Sequence, residues 1–213
     1  HSFPTRRSSD LHFNSSVLYK CMSDQERKLL KSAYLYLTKK MTYAHGGKTM
    51  LYKNPACMGR MSLLKEIFPD AKFVHIIRNP FEVFPSMMKL WGRMTPSFSW
   101  HRSASINYEE ITFSFYERVM KAHIKDRQNI PDQDYHEVRF EDLDSNPMAV
   151  INDIYRGLGI EANEESMVNI ERYIEEQKKY QKNTHRLTDS IKRKLMKRWS
   201  FALDHWNYKH SNN

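Results

Sequence analysis

Residues 53–90 read KNPACMGRMSLLKEIFPDAKFVHIIRNPFEVFPSMMKL, and the fold turns on the middle of that stretch. Lys72 to Ile77 (KFVHII) is a continuous apolar, β-rich run of strand length, as expected for a strand buried on both faces. Asn79-Pro80 then makes a turn. Phe81 to Trp91 reads as a helix, with Pro80 preorganising its first turn and Pro85 in that turn or just beyond it. Arg78 is thereby placed at the carboxyl mouth of a strand, where open α/β sheets bind ligands. A helix N-terminus offers free N–H groups and a positive dipole end to an anion. Arg78 adds a planar donor fork suited to phosphate. Ser86, eight residues on, adds a hydroxyl about two helical turns beyond. The same residues also allow a plainer arrangement, in which Arg78 bridges a carboxylate and Ser86 is a small packing residue.

Outward from this core the pattern alternates. Upstream, Asp24 to Met41 has helical periodicity, with Ser23 and Glu26 placed for a capping box and His45-Gly46-Gly47 for a stop. Thr49 to Tyr52 is a short strand candidate, and Cys57 to Phe68 a short helix. Downstream, Arg93 to Ser103 reads as a loop. Ile106 to Gln128 is a long amphipathic helix, with Tyr108, Ile111, Phe115, Val119, Ala122 and Ile124 among its apolar positions. Tyr135 to Phe140 (YHEVRF) is a second strand, and Glu141 to Pro147 a loop. Met148 to Leu158, Glu164 to Gln181 and Leu187 to Phe201 are helices. Strands alternating with helices predict a helix-rich α/β fold with a mainly parallel sheet. Trp199 and Trp206 are expected to anchor the terminal helix to the core.

Composition narrows the chemistry. The 213 residues are 40% hydrophobic and carry only 6 Gly and 8 Pro, which excludes collagen-like and low-complexity chains. A net charge of +9 points to an anionic partner. Ten Lys/Arg against two acids after Gln177 place +8 of that excess in the last sixth of the chain. Cys21 and Cys57 form no metal or disulfide pattern, so a reducing, cytoplasmic setting is the default. No apolar run is long enough to span a membrane. Residues 1–11 (HSFPTRRSSDL) read as a non-native tail, leaving 12–213 as a single domain.

The strand–Arg–Asn-Pro–helix–Ser arrangement resembles the 3′-phosphate-binding motif of sulfotransferases, which use 3′-phosphoadenosine 5′-phosphosulfate. Arg78 and Ser86 match that motif's pair. Lys53-Asn54-Pro55…Gly59-Arg60 and Phe68-Pro69-Asp70-Ala71 resemble the bacterial-type branch. Val138-Arg139-Phe140-Glu141-Asp142-Leu143, then Asn146-Pro147, resembles a second family motif. The resemblance implies a P-loop NTPase-like three-layer fold and cofactor contacts at Arg78, Ser86 and Phe140, with Phe140 near the adenine. Lys182 and Asn183, in a late basic segment, would close over the 3′-phosphate. Lys53 would steady the transferring group as a catalytic cation. Glu141 and Asp142 read as structural, bonding loop and helix-end N–H groups.

The same resemblance implies an opening strand and a 5′-phosphosulfate loop, and neither is found in the sequence. Gly47-Lys48-Thr49 imitates the end of a P-loop, but residue 42 is Thr where the first Gly belongs, and no strand precedes it. The domain is therefore expected to be incomplete at its N-terminus. The implied reaction moves a sulfuryl group from the phosphosulfate donor to an acceptor hydroxyl or amine, without a metal. Two rival readings share parts of the pattern. One is a nucleotide or nucleoside kinase-like phosphotransferase. The other is a nucleic-acid-binding module built on the basic C-terminus, which ranks last because no reader motif accompanies the charge.

Overall fold

The computed structural model describes residues 17–20, 22–98, 106–177 and 186–208. Helix α1 (Asp24–Ala44) begins with the expected capping box. The Glu26 N–H donates to Ser23 Oγ at 3.3 Å, and the Ser23 N–H donates to the Glu26 carboxylate at 2.8 Å. Gly46 and Gly47 follow its end with φ of +68° and +78°, a left-handed backbone that a Cβ would disfavour. The segment from Thr49 to Tyr52 is irregular instead of a strand. Extended backbone needs a neighbour to satisfy it, and among the described residues the two strands pair only with each other.

The predicted helix at Cys57 to Phe68 is two pieces, a 3-10 turn (Pro55–Arg60) and α2 (Met61–Ile67). Strand β1 (Phe73–Ile77) leads into α3 (Pro80–Phe98), which runs past the predicted end at Trp91. Gly92 keeps a negative φ there, so it does not stop the helix. Helix α4 (Tyr108–Arg127) and a 3-10 turn (Asp132–Asp134) complete the crossover to β2 (Tyr135–Arg139). The predicted loop at Glu141 opens as a short helix, α5 (Phe140–Ser145), whose first-turn acids Glu141 and Asp142 suit a helix start. Helices α6 (Pro147–Gly157), α7 (Glu164–Gln177), α8 (Asp189–Arg198) and α9 (Ser200–His205) follow.

The two strands are parallel, in register from Phe73↔Tyr135 to Ile77↔Arg139. Strand β1 is buried on one face only, whereas Val138 of β2, in register with Ile76, is buried on the other. His75 and Ile77 point inward, while Val74 and Ile76 are 43% and 49% exposed. The expectation of a strand covered on both faces is corrected to that extent.

By contact density the chain divides into two units, His1–Ala71 with Arg118–Pro131, and Lys72–Glu117 with Asp132–Asn213. The first buries Met61, Leu63, Ile67, Val119, Met120 and Ile130. Its Asp126 carboxylate accepts the Ser62 N–H at 3.0 Å.

In the second unit the core is aromatic. Trp199, fully buried, stacks on Tyr116 at 3.9 Å and meets Phe84 and Phe113 edge-on at 5.7 and 5.5 Å. Its indole N–H donates to the Phe113 carbonyl at 3.3 Å. Leu195, Ala202, Leu203 and Trp206 add to this core, so both C-terminal tryptophans are anchors. In this unit α4 buries Thr112, Phe113 and Tyr116; of its expected apolar positions Val119 and Ala122 are buried, while Ile111 is 41% exposed.

The basic residues of α8 turn back onto α4. Arg198 donates to Glu117 at 2.8 Å and to Glu110, and Lys194 reaches Glu109 at 2.6 Å. Exposed pairs of this kind contribute only about 0.2–1 kcal/mol each. Burying a Leu or larger side chain contributes roughly 1.5–3 kcal/mol. Packing at Trp199 and Leu195 therefore sets the docking of α8, and the ion pairs select its register. Trp199→Ala is expected to cost about 3–5 kcal/mol in denaturant unfolding. A loss near that of Lys194→Ala would place the core elsewhere.

Candidate functional site

The register Ile77↔Arg139 makes Arg78 and Phe140 leave the sheet side by side. Their side chains meet. The Arg78 guanidinium lies over the Phe140 ring at 4.3 Å from its centroid. A cation over an aromatic face contributes roughly 0.5–1 kcal/mol at such a half-exposed place and fixes the plane of the donor fork. Glu82, four residues on, holds the same guanidinium loosely at 3.8 Å. Ser86 is exposed on α3, four residues beyond Glu82 and so on the same helical face. Glu82 and Ser86 share one face of α3, and Glu82 reaches back to Arg78.

One expectation is corrected. The start of α3 does not present free N–H groups. Asn79 Oδ1 accepts the Phe81 N–H at 3.0 Å, the Asn79 carbonyl accepts from Glu82 and Val83, and Pro80 has no N–H. The Asn79 N–H itself donates to Glu141 at 2.9 Å. The helix end is thus already satisfied, and the Arg78 guanidinium is the cation at this strand end. Glu141 thus does bond a turn N–H, as its place in the motif suggested.

Glu141 has a second partner, the Tyr208 hydroxyl, which donates to it at 2.8 Å. Residues 206–208, just past α9, are gripped by alternate residues at the end of β2. Trp206 Nε1 donates to Glu137 at 3.0 Å, Arg139 donates to the Trp206 carbonyl, and the Arg139 guanidinium covers the Tyr208 ring at 4.7 Å. Tyr208 was not foreseen, because nothing local in the sequence ties it to a strand end 67 residues earlier. Glu82 could have been read from its i+4 spacing to Arg78.

His75, expected in the core, is buried at 4% exposure. Its Nδ1 lies 2.9 Å from Glu137 and 3.2 Å from the Tyr135 hydroxyl. The hydroxyl also donates to Glu137 at 2.8 Å. A cavity of about 360 Å³ opens beside β2, with His136, Glu137, Val138, Arg139, Asp153 and Trp206 in its lining. Arg78 does not line it. His136 and Asp153 already pair across it at 3.2 Å.

Of the remaining predicted residues, Lys53 belongs to the first unit. It is exposed just ahead of the 3-10 turn that Asn54 caps through the Ala56 N–H at 2.9 Å. Gly59 and Arg60 from the same motif are buried. Lys182 and Asn183 lie outside the described residues. Cys57 is a free thiol. No described helix is long and apolar enough to cross a membrane.

Comparison with known proteins gives one consistent result. A family model described as the sulfotransferase family matches residues 5–165. The omega-hydroxy-beta-dihydromenaquinone-9 sulfotransferases of Mycobacterium bovis and Mycobacterium tuberculosis are each 26% identical over 166 residues, 78% of this chain and 43% of theirs. The chain therefore spans less than half the length of these relatives. The crystal structure of a sulfotransferase from Mycobacterium avium superposes with a TM-score of 0.73 at 17% identity, over 95% of this chain and 50% of that one. That likeness gives the fold. Neither a kinase-like nor a nucleic-acid-binding reading is favoured by these matches.

Glu137 yields a pH prediction for this region. Partial burial pushes its carboxyl up, but hydrogen bonds from His75, Tyr135 and Trp206 outweigh that and hold it at about 2, below the ordinary 4.5. A depressed folded-state value adds stability above the unfolded value and loses it as pH falls towards the folded one. Wild-type melting temperature is expected to drop between about pH 4.5 and 2, and Glu137→Gln to flatten that slope. Equal slopes in a pH series of thermal melts would contradict it.

Proposed function

The chain belongs to the sulfotransferase family, and from that premise we propose that it carries the 3′-phosphate-binding half of a site for 3′-phosphoadenosine 5′-phosphosulfate. The protein would transfer the sulfuryl group of that donor to an acceptor hydroxyl. The observation that carries the reading is Arg78, aimed from the end of β1 and stacked at 4.3 Å on Phe140 of the second motif. Two motifs 62 residues apart in sequence meet there as one cation with a fixed plane.

Each residue has a separate task. The Arg78 fork donates to two oxygens of the 3′-phosphate. Ser86 donates its hydroxyl from the face of α3 that it shares with Glu82. Phe140 orients the guanidinium and offers apolar surface towards the adenine. Lys182 and Asn183 close over the same phosphate. Lys53 stabilises charge that gathers on the leaving phosphate oxygen as the sulfur–oxygen bond breaks, a matter of positioning and neutralisation as in phosphoryl transfer. The donor set fits a phosphate ester, because a guanidinium at the strand end and a hydroxyl further along α3 are groups that bond phosphate oxygens. The mycobacterial relatives bear a hydroxy compound in their names, which favours a hydroxyl acceptor over an amine here.

Titration calorimetry with adenosine 3′,5′-bisphosphate tests the reading. Arg78→Ala is expected to weaken binding at least tenfold, since a charge-assisted contact contributes about 1.5–3 kcal/mol. Binding indifferent to Arg78 would remove the basis for the proposal. Glu82→Gln is expected to tighten binding about two- to fivefold, because it relieves competition for the guanidinium and repulsion of the phosphate. Unchanged or weaker binding in that variant would mean that the ligand does not displace Glu82.

A further inference from the structure

We infer that Tyr208 is a positioning residue for the Arg78 phosphate site, acting through Glu141 from the turn that follows α9. The inference rests on the proposed role of Arg78 and extends it to a part of the chain that touches no ligand.

Four contacts carry it. Tyr208 donates its hydroxyl to one oxygen of Glu141 at 2.8 Å, and the other oxygen accepts the Asn79 N–H at 2.9 Å. Asn79 is the residue after Arg78, so one carboxylate joins the C-terminal turn to the strand-end turn. The Arg139 guanidinium covers the Tyr208 ring at 4.7 Å and also bonds the Trp206 carbonyl, which fixes the ring before its hydroxyl is used. Asn207 between them has φ of +52°, a left-handed backbone that Asn tolerates better than most residues. The turn is therefore shaped to deliver Tyr208 to Glu141.

The electrostatics give the contact its purpose. Glu141 is a negative group one residue from Phe140 and bonded one residue from Arg78, beside a site for a phosphate. Left free, it would compete with that phosphate for the guanidinium, as Glu82 does. Two donors, one on each oxygen, tie it to the backbone of the turn instead. Burial and the adjacent Glu141 carboxylate push the Tyr208 phenol well above its ordinary range, so it remains a donor at neutral pH.

The experiment compares adenosine 3′,5′-bisphosphate with adenosine 5′-monophosphate, which lacks the 3′-phosphate. Wild type, Tyr208→Phe, Arg78→Ala and the double variant are titrated, with Glu141→Gln as a second route to the same link. Tyr208→Phe keeps the ring under Arg139 and removes only the hydroxyl. It is expected to weaken the bisphosphate about three- to tenfold, to leave the monophosphate unchanged, and to have no further effect once Arg78 is Ala. Hydrogen exchange at the Asn79 amide should quicken by a similar factor without any ligand, which a change elsewhere in the fold would not produce alone.

Equal losses for both nucleotides, or a Tyr208→Phe effect that persists in Arg78→Ala, would overturn the inference while leaving the role of Arg78 standing. So would unchanged Asn79 exchange. Bisphosphate binding that is absent or indifferent to Arg78→Ala would overturn the role of Arg78, and the inference with it.

Discussion

The parallel pairing of β1 with β2 is the constraint on which the site depends. Its register ends at Ile77↔Arg139. The next residue of each strand is then Arg78 and Phe140, and the guanidinium and ring have no choice but to lie near each other. A slip by one residue would reverse every side chain of one strand. Ile77 would leave the core if β1 slipped, or Val138 if β2 did, and Arg78 would lose its aromatic support. The aromatic cluster at Trp199 and the Trp206–Tyr208 turn act on the same point from behind, because they hold α3 and the end of β2 in place.

Charge plays a smaller part than the total of +9 implies. Two of the C-terminal cations, Lys194 and Arg198, are spent on Glu109, Glu110 and Glu117 of α4. They are internal counterions, and their field is largely cancelled where they sit. The cation proposed to bind an anionic ligand is Arg78, in the nearly neutral remainder of the chain. It is also the less neutralised one, with a single loose contact to Glu82 at 3.8 Å. Location and pairing decide which cation can bind; the sum does not.

Much of this was legible in the sequence because it is local. The capping box at Ser23, both strands, the long helix α4 and the Asn-Pro turn follow from periodicity and turn chemistry over a few residues. So does the motif pair that led to the family. The misses have physical reasons as well. Thr49 to Tyr52 has strand-like composition, yet a strand is a property of a pair, and no described partner lies beside it. Helix α5 is only six residues long, too short to show a period. The face of α4 that is buried depends on what packs against it, which is why Ile111 is exposed while Val119 and Ala122 are buried. Tyr208 belongs to the same class, since its partner Glu141 is distant in sequence and the link exists only after folding.

The one expectation that failed at the site itself also changes how such a motif works. A strand followed by Asn-Pro and a helix looks like an anion nest of free backbone N–H groups. Here the motif consumes those groups. Asn79 caps its own helix through Oδ1, Pro80 removes a donor, and Glu141 takes the N–H of Asn79. In the proposed site, binding energy would thereby come from side chains and not from the backbone. That shift makes a site selective, because a guanidinium held in one plane by Phe140 discriminates geometry better than a diffuse dipole end. It would also allow a carboxylate to sit close to the proposed phosphate site. Glu141 is the anion that the backbone of the turn already holds, and its bound position leaves the guanidinium for the ligand.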